Sequence, residues 1–250
     1  MVFFPLLFRS IILESVYFHD NVRSRTIEIS RILIGKECAE KRKIVSKTTE
    51  RIDGRNLRSL QTRHKLLEAA QAVFIENGYQ RATITQIIKK AKTGYGTAYV
   101  HFSGKDDLLI VLMDDIMNRF YEIAEMSYEP STKQEAISMI TTQASLFLEN
   151  AIEQKAILQV FVEAIRFSDK AHQKWDEIRE KFVARIASDV AYAQAKGLAR
   201  TDVDRDLIAR NWFSLNETQL WDLVNGKNKH AVQEIVRNMT ILYTSGLYPS

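Results

Sequence analysis

The stretch Thr62–Leu109 constrains the fold most, because its helix-boundary signals follow one another so closely that only short, steeply crossing helices satisfy them. Thr62 reads as an N-cap before Leu66, Ala70, Val73 and Phe74, which share one helical face, and Gly78 stands where a left-handed C-terminal residue is needed. Thr83 and Gln86 form a T-x-x-Q capping box. Ile84, Ile87, Ile88 and Ala91 then recur at i, i+3, i+4 and i+7, which predicts a second helix of about two turns. Lys92, Thr93 and Gly94 separate it from a third helix, a spacing at which the two cross steeply and the second braces the third. That third helix should open near Gly94 and Tyr95 with free backbone N–H groups, present Thr97, Tyr99 and His101, and be anchored by Ala98 and Phe102. Ser103 and Asp106 make an S-x-x-D capping box for a long helix that buries Leu108, Leu109, Leu112, Met113, Ile116 and Phe120 and ends before Pro130.

Beyond Pro130 the apolar spacings of three and four predict amphipathic helices over 132–150, 153–167, 170–196, 203–225 and 229–247, with breaks at Gly197 and Gly226. Three prolines and nine glycines are few for 250 residues, and no convincing strand run occurs after the first 35, so the fold class is all-α. Residues 1–55 match the remainder poorly and read as an N-terminal extension, either a mobile arm, an extra helix or upstream sequence. The expected organisation is therefore an extension over 1–55, a head over 56–104, and a larger helical domain over 105–250.

Charge separates these parts. Residues 1–103 carry 18 Lys and Arg against 9 acids, whereas 104–250 carry 17 against 22, so the front is basic and the remainder acidic. A basic front points to a polyanion, and nucleic acid is the natural one. Lys41, Arg42, Lys43, Lys47, Arg51, Arg55 and Arg58 would lie beside DNA if the head binds it, or form a solvated tail if it does not.

Other classes find little support. Cys38 is the only cysteine, which rules out an internal disulfide and a cysteine zinc cluster and fits a reducing cytoplasm. The chain has no HExxH, Walker loop or GxSxG, and the GxG at Gly94 lacks the third glycine, so neither catalysis, a metal nor a cofactor is expected. MVFFPLLFRSIIL is greasy, but it lacks a basic leader and Arg9 interrupts it, so it is not read as a secretory signal. No run is long and apolar enough to span a bilayer.

The residues of 62–112 resemble the DNA-binding domain of the TetR family of bacterial transcriptional regulators. Gly78, Tyr79, Thr83, Ile87, Ala91, Gly96, Thr97, Tyr99, His101, Phe102, Lys105, Asp107, Leu108 and Leu109 match the family pattern at its spacing. Ala82, Ile88, Lys92, Gly94 and Ala98 depart from it. Lys92 replaces the turn glycine and is expected to alter the turn locally, and Gly94 leaves the third helix without a side-chain cap unless Thr93 supplies one.

The resemblance implies a helix-turn-helix head followed by a ligand-binding and dimerisation domain. The function it implies is a sequence-specific transcriptional repressor, released from a palindromic operator by a small-molecule effector. Tyr95 and Gly96 take the positions that approach base edges, Tyr95 by one hydrogen bond or a thymine methyl contact and Gly96 by close backbone approach. Thr83, Thr97, Tyr99, His101 and Lys105 take those that contact phosphates. Phe147, Phe161, Phe167 and Trp175, with Phe182 and Tyr192 on the same helices, are candidates for a pocket holding a lipophilic or aromatic effector, and about a third of them are expected to line it. Trp212, Leu215, Gln219, Val232, Ile235 and Met239 are candidates for a homodimer interface built by the last two helices. Glu163 and Arg166, one turn apart, offer either a pair that orients a polar ligand or a surface ion pair, and the ion pair is the favoured reading. A head of the same fold that engages a protein is the rival reading, and the basic front argues against it.

Overall fold

The structure, a computed structural model, describes residues 38–248, with side chains from residue 56 onward. The expectations for residues 1–37, and for the basic side chains between Lys41 and Arg55, lie outside the described residues. The chain divides into two compact units, 1–58 and 59–250, and the side-chain contacts discussed below lie in the second. The described residues form helices without strands, in the order α1 (Cys38–Arg81), α2 (Ile84–Ala91), α3 (Tyr95–His101), α4 (Lys105–Ala124), α5 (Lys133–Glu153), α6 (Lys155–Phe167), α7 (Asp169–Ala195), α8 (Arg205–Val224) and α9 (Val232–Leu247).

Thr62 is not a helix start. It lies inside α1, which already runs from Cys38, and no proline stands between Cys38 and Thr62 to stop it. Gly78, at φ 74° and ψ 169°, breaks the helical path where the sequence placed the end. Thr83 caps α2 as expected: its side chain accepts the N–H of Gln86, and the Gln86 side chain accepts the N–H of Thr83. Lys92 closes α2 in the left-handed conformation, at φ 52° and ψ 44°. The turn is thus the one a glycine would make. Its donation from the cap N–H to the Ile88 and Lys89 carbonyls offsets the strain that a side chain brings there.

The capping pair before α4 differs from expectation by one residue. Gly104 is the N-cap, and Ser103 donates both its N–H and its hydroxyl to Asp107, in the third position of the helix, rather than to Asp106. These bonds, with Lys170 nearby, hold the Asp107 carboxyl below its ordinary range. Asp106 instead accepts the Tyr79 hydroxyl at 2.5 Å. Burial, reinforced by that carboxylate, pushes the Tyr79 hydroxyl up to about 12.

The later helices follow the sequence closely. Thr132, Ser168 and Asp204 cap α5, α7 and α8 through their side chains, and Gly197 and Gly226 take positive φ at the breaks. Apolar faces of α1 to α4 close a head core on Leu66, Phe74, Ile87, Ala98, Phe102 and Leu108. The same core continues along α4 into the larger bundle, where Met117, Phe120, Leu148, Phe161 and Phe182 are buried. Among the described residues no helix is long and apolar enough to cross a membrane, and no group of three or more His, Cys, Asp or Glu could hold a metal ion.

Candidate nucleic-acid interface

The presented face of α3 is built by subtraction. Ala98 is buried within it and Phe102 at its C-terminal end, where the Arg63 guanidinium lies 5.3 Å from the ring centre. That anchoring turns Tyr95, Gly96, Thr97, Tyr99 and Val100 to the outside. Tyr95 is 54% exposed, Tyr99 51% and Val100 82%, a large apolar investment in surface for so short a helix. His101 is half-buried, its ring 6.4 Å from that of Phe102.

Gly96 has no reason in the subunit's own packing. A Cβ built on it meets nothing within 4 Å, and its φ is not positive. Glycine within a helix costs roughly 1 kcal/mol against alanine, so the fold alone would favour a side chain here. Nothing within the described subunit requires the missing methyl. Gly94 caps α3 without a side-chain bond, and Thr93 does not take the role, because its hydroxyl is buried and unpartnered. Exposed Lys89 and Lys90 end α2 and exposed Lys92 begins the turn to α3, with Lys90 also paired to Glu76. The head thus offers hydroxyls, one bare backbone position and lysines together, which suits a groove lined by phosphates.

The family profile described as "Bacterial regulatory proteins, tetR family" matches residues 66–112. The HTH-type transcriptional regulator UidR of Escherichia coli (strain K12) is 30% identical over 169 residues, which cover 65% of this chain and 81% of UidR. The chain belongs to the tetR family of bacterial regulatory proteins. Among solved structures, a TetR-family transcriptional regulator of Syntrophomonas wolfei shares the fold at a TM-score of 0.62 and 20% identity, covering 74% of this chain and 94% of that one. The SmeT–triclosan complex superposes at a TM-score of 0.61 and 16% identity, covering 76% and 93%. The protein is a DNA-binding transcriptional regulator of this family.

Within the tetR-family head the expected phosphate contacts do not all stand alike. Thr97 and Tyr99 are exposed, and Thr83 is exposed while its hydroxyl serves the cap of α2. Lys105 departs from the expectation. Its ammonium donates to the carbonyls of Tyr79 at 2.8 Å, Gln80 at 3.3 Å and Ala82 at 3.1 Å, and lies 4.4 Å from the Tyr79 ring centre. An ammonium has three N–H donors, so this set leaves none for a phosphate oxygen. Lys105 holds the turn before α2 rather than facing a polyanion.

In the larger domain, α4, α5, α7 and α8 enclose a cavity of about 60 Å³. Phe147, Phe182, Trp212 and Phe213 form its walls, with Phe182 stacked on Phe213 at 5.4 Å and edge-on to Phe147 at 5.9 Å. Arg185, Asp189, Asn216 and Gln143 supply its polar part. Burial raises the Asp189 carboxyl to about 6 against the opposing charge and hydrogen bond of Arg185. Of the aromatics named from sequence, Phe147 and Phe182 line this cavity, whereas Tyr192 packs edge-on to Tyr128. Phe161 is fully buried core, Trp175 packs on Trp221 and donates its indole N–H to Glu217 at 2.7 Å, and Phe167 is 63% exposed. Helical spacing gives which side of a helix is buried and not which neighbour it is buried against, so the cavity could not be separated from ordinary core.

Trp212 was expected in a dimer interface and lines the cavity instead, stacked on Tyr243 at 4.2 Å. Val232, Ile235 and Met239 are also buried inside their own subunit, where they have little area left for a partner. Leu215 and Gln219 are half-buried. The sides of α8 and α9 that face outward carry Leu207, Asn211 and Thr218, and Asn238, Ile241 and Leu242. A second groove, of about 270 Å³, lies between α5 and α9, lined in part by Thr141, Ser145, Arg237 and Thr240.

Proposed function

We propose that the protein is a cytoplasmic, homodimeric repressor that holds a palindromic operator through α3 of each subunit and lets go when a lipophilic or aromatic small molecule enters the cavity between α4, α5, α7 and α8. Gly96 carries the reading: a helix position that the fold would fill, left bare on an exposed face beside Tyr95 and Tyr99. Tyr95 and the Gly96 backbone read base edges, whereas Thr97, Tyr99, His101 and Thr83 contact phosphates and fix register.

Two copies are joined by the outward sides of α8 and α9, on which Leu207, Ile241 and Leu242 would otherwise stay in water. The two heads then meet successive major grooves on one side of the duplex. The aromatic walls favour an aromatic effector, and the complex of SmeT, a structural neighbour, with triclosan supports that choice. A drug-sized ligand needs roughly 300 Å³ or more, so its entry spreads the walls from their 60 Å³ spacing. Because Ile123 and Ala124 at the far end of α4 line the cavity, that spreading moves the helix whose first residues touch the head. The groove between α5 and α9 has no wall from α4 and offers no such route.

Selection of bound sequences from random duplex DNA, followed by titration over a salt series, tests the reading. A two-fold symmetric consensus with salt-dependent affinity is expected, and Tyr95→Ala should relax preference at one or two positions while Tyr99→Phe weakens all sequences alike. Binding without any sequence preference across the selection would refute it.

A further inference from the structure

The turn between α1 and α2 is gripped by two helices of the larger domain, with opposite charge. Glu163 of α6 accepts the backbone N–H of Tyr79 at 2.8 Å and that of Gln80 at 3.1 Å, one on each carboxylate oxygen. Lys105, the first residue of α4, donates to carbonyls of the same turn, those of Tyr79, Gln80 and Ala82. The ion-pair reading of Glu163 with Arg166 is thus replaced by a contact 84 residues away in sequence. Gly78 makes the contact possible. A Cβ there would fall 2.7 Å from the nearer Glu163 oxygen, and at φ 74° and ψ 169° the chain leaves the helix so that the next two N–H groups meet the carboxylate.

The two grips belong to different moving parts. Lys105 travels with α4, whose far end lines the cavity at Ile123 and Ala124; Glu163 sits on α6, which contributes no residue to the cavity wall. Bonds from a carboxylate to two backbone N–H groups are charge-assisted and directional, and they fix orientation as well as distance. A displacement of α4 relative to α6 therefore cannot satisfy both grips at once.

We propose that Glu163 is a positioning residue for operator binding, which fixes the angle of the helix-turn-helix head on the larger domain and so sets the half-site separation that the dimer accepts. The inference rests on the operator reading given above. Without the carboxylate the backbone of the turn keeps its hydrogen bonds to Lys105 alone, and the head pivots about Lys105. The folded dimer then binds half-sites at several separations with similar affinity.

The full-length wild type, Glu163→Ala and Glu163→Gln are titrated against duplexes that keep both half-sites and lengthen or shorten the centre by one or two base pairs. Far-UV circular dichroism is followed through thermal unfolding in parallel. The wild type is expected to prefer one separation about tenfold or more over its neighbours, the alanine variant to flatten that ratio to about threefold or less, and the glutamine variant, with one acceptor oxygen kept, to fall between. A residue that only stabilised the fold would lower the unfolding midpoint and leave the ratio in the folded fraction unchanged. Wild-type ratios in a folded glutamine variant overturn the proposal even if the alanine variant does not fold. A wild type that binds no operator at any separation overturns the operator reading itself, and this proposal with it.

Discussion

Replacing Gly96 with alanine separates what the head needs in order to fold from what it needs in order to bind. The new methyl group meets nothing within 4 Å, so it introduces no clash inside the subunit. It also removes backbone freedom from the unfolded chain and restores a good helix former to the first turn of α3, worth about 0.5–1 kcal/mol. In a chain of this size that raises the unfolding midpoint by roughly 1–4 °C. On DNA the sign reverses. If the Gly96 backbone lies against a base edge, one added carbon holds the whole helix off the groove, and a tenfold loss of affinity corresponds to about 1.4 kcal/mol. Differential scanning calorimetry and fluorescence anisotropy with the selected operator, at one salt concentration, measure the two effects on the same preparation. The expected result is a more stable protein that binds at least about tenfold more weakly. A stabilised variant with unchanged operator affinity would show that the bare position is not in contact with DNA. A destabilised variant would show that the open space above Gly96 is filled by something within the protein.

Lys92→Gly should stabilise the head by about 0.5–1 kcal/mol, because a non-glycine residue is held there at φ 52°; a drop in the chemical-denaturation midpoint would refute this. Asp189 keeps its proton more tightly when folded, with a carboxyl raised from 3.8 to about 6, so the folded state binds more protons across that interval and stability should fall as pH climbs from about 4 to about 6. The decline is on the order of 2–3 kcal/mol, and Asp189→Asn should remove it from a series of unfolding curves; an equal slope in the variant would sink the assignment. Leu242→Arg places a charge on a side chain that is 73% exposed in the isolated subunit, so it should leave the circular dichroism spectrum intact and yield a monomer in analytical ultracentrifugation, whereas a variant that remains dimeric places the interface elsewhere.

Much of the head could be read residue by residue because its signals are local. The Thr83–Gln86 box, the Gly78 turn and the inward Ala98 and Phe102 each depend on neighbours within a few positions, and each stands in the structure where the spacing put it. Local signals misled where an alternative partner was equally close. Ser103 bonds Asp107 rather than Asp106, and Thr62 is passed over because nothing upstream interrupts the helix.

The chain's own order of residues was enough to establish helices, their breaks, the basic front and the outward face of α3, since caps, glycines and apolar periods act over one or two turns. Three-dimensional packing alone decided that Lys105 is spent on carbonyls, that Glu163 reaches the Gly78 turn from 84 residues away, and that Trp212 faces a cavity rather than a partner. A helical period records that a side is covered; what covers it depends on where other helices arrive, and that is a property of the whole packed molecule.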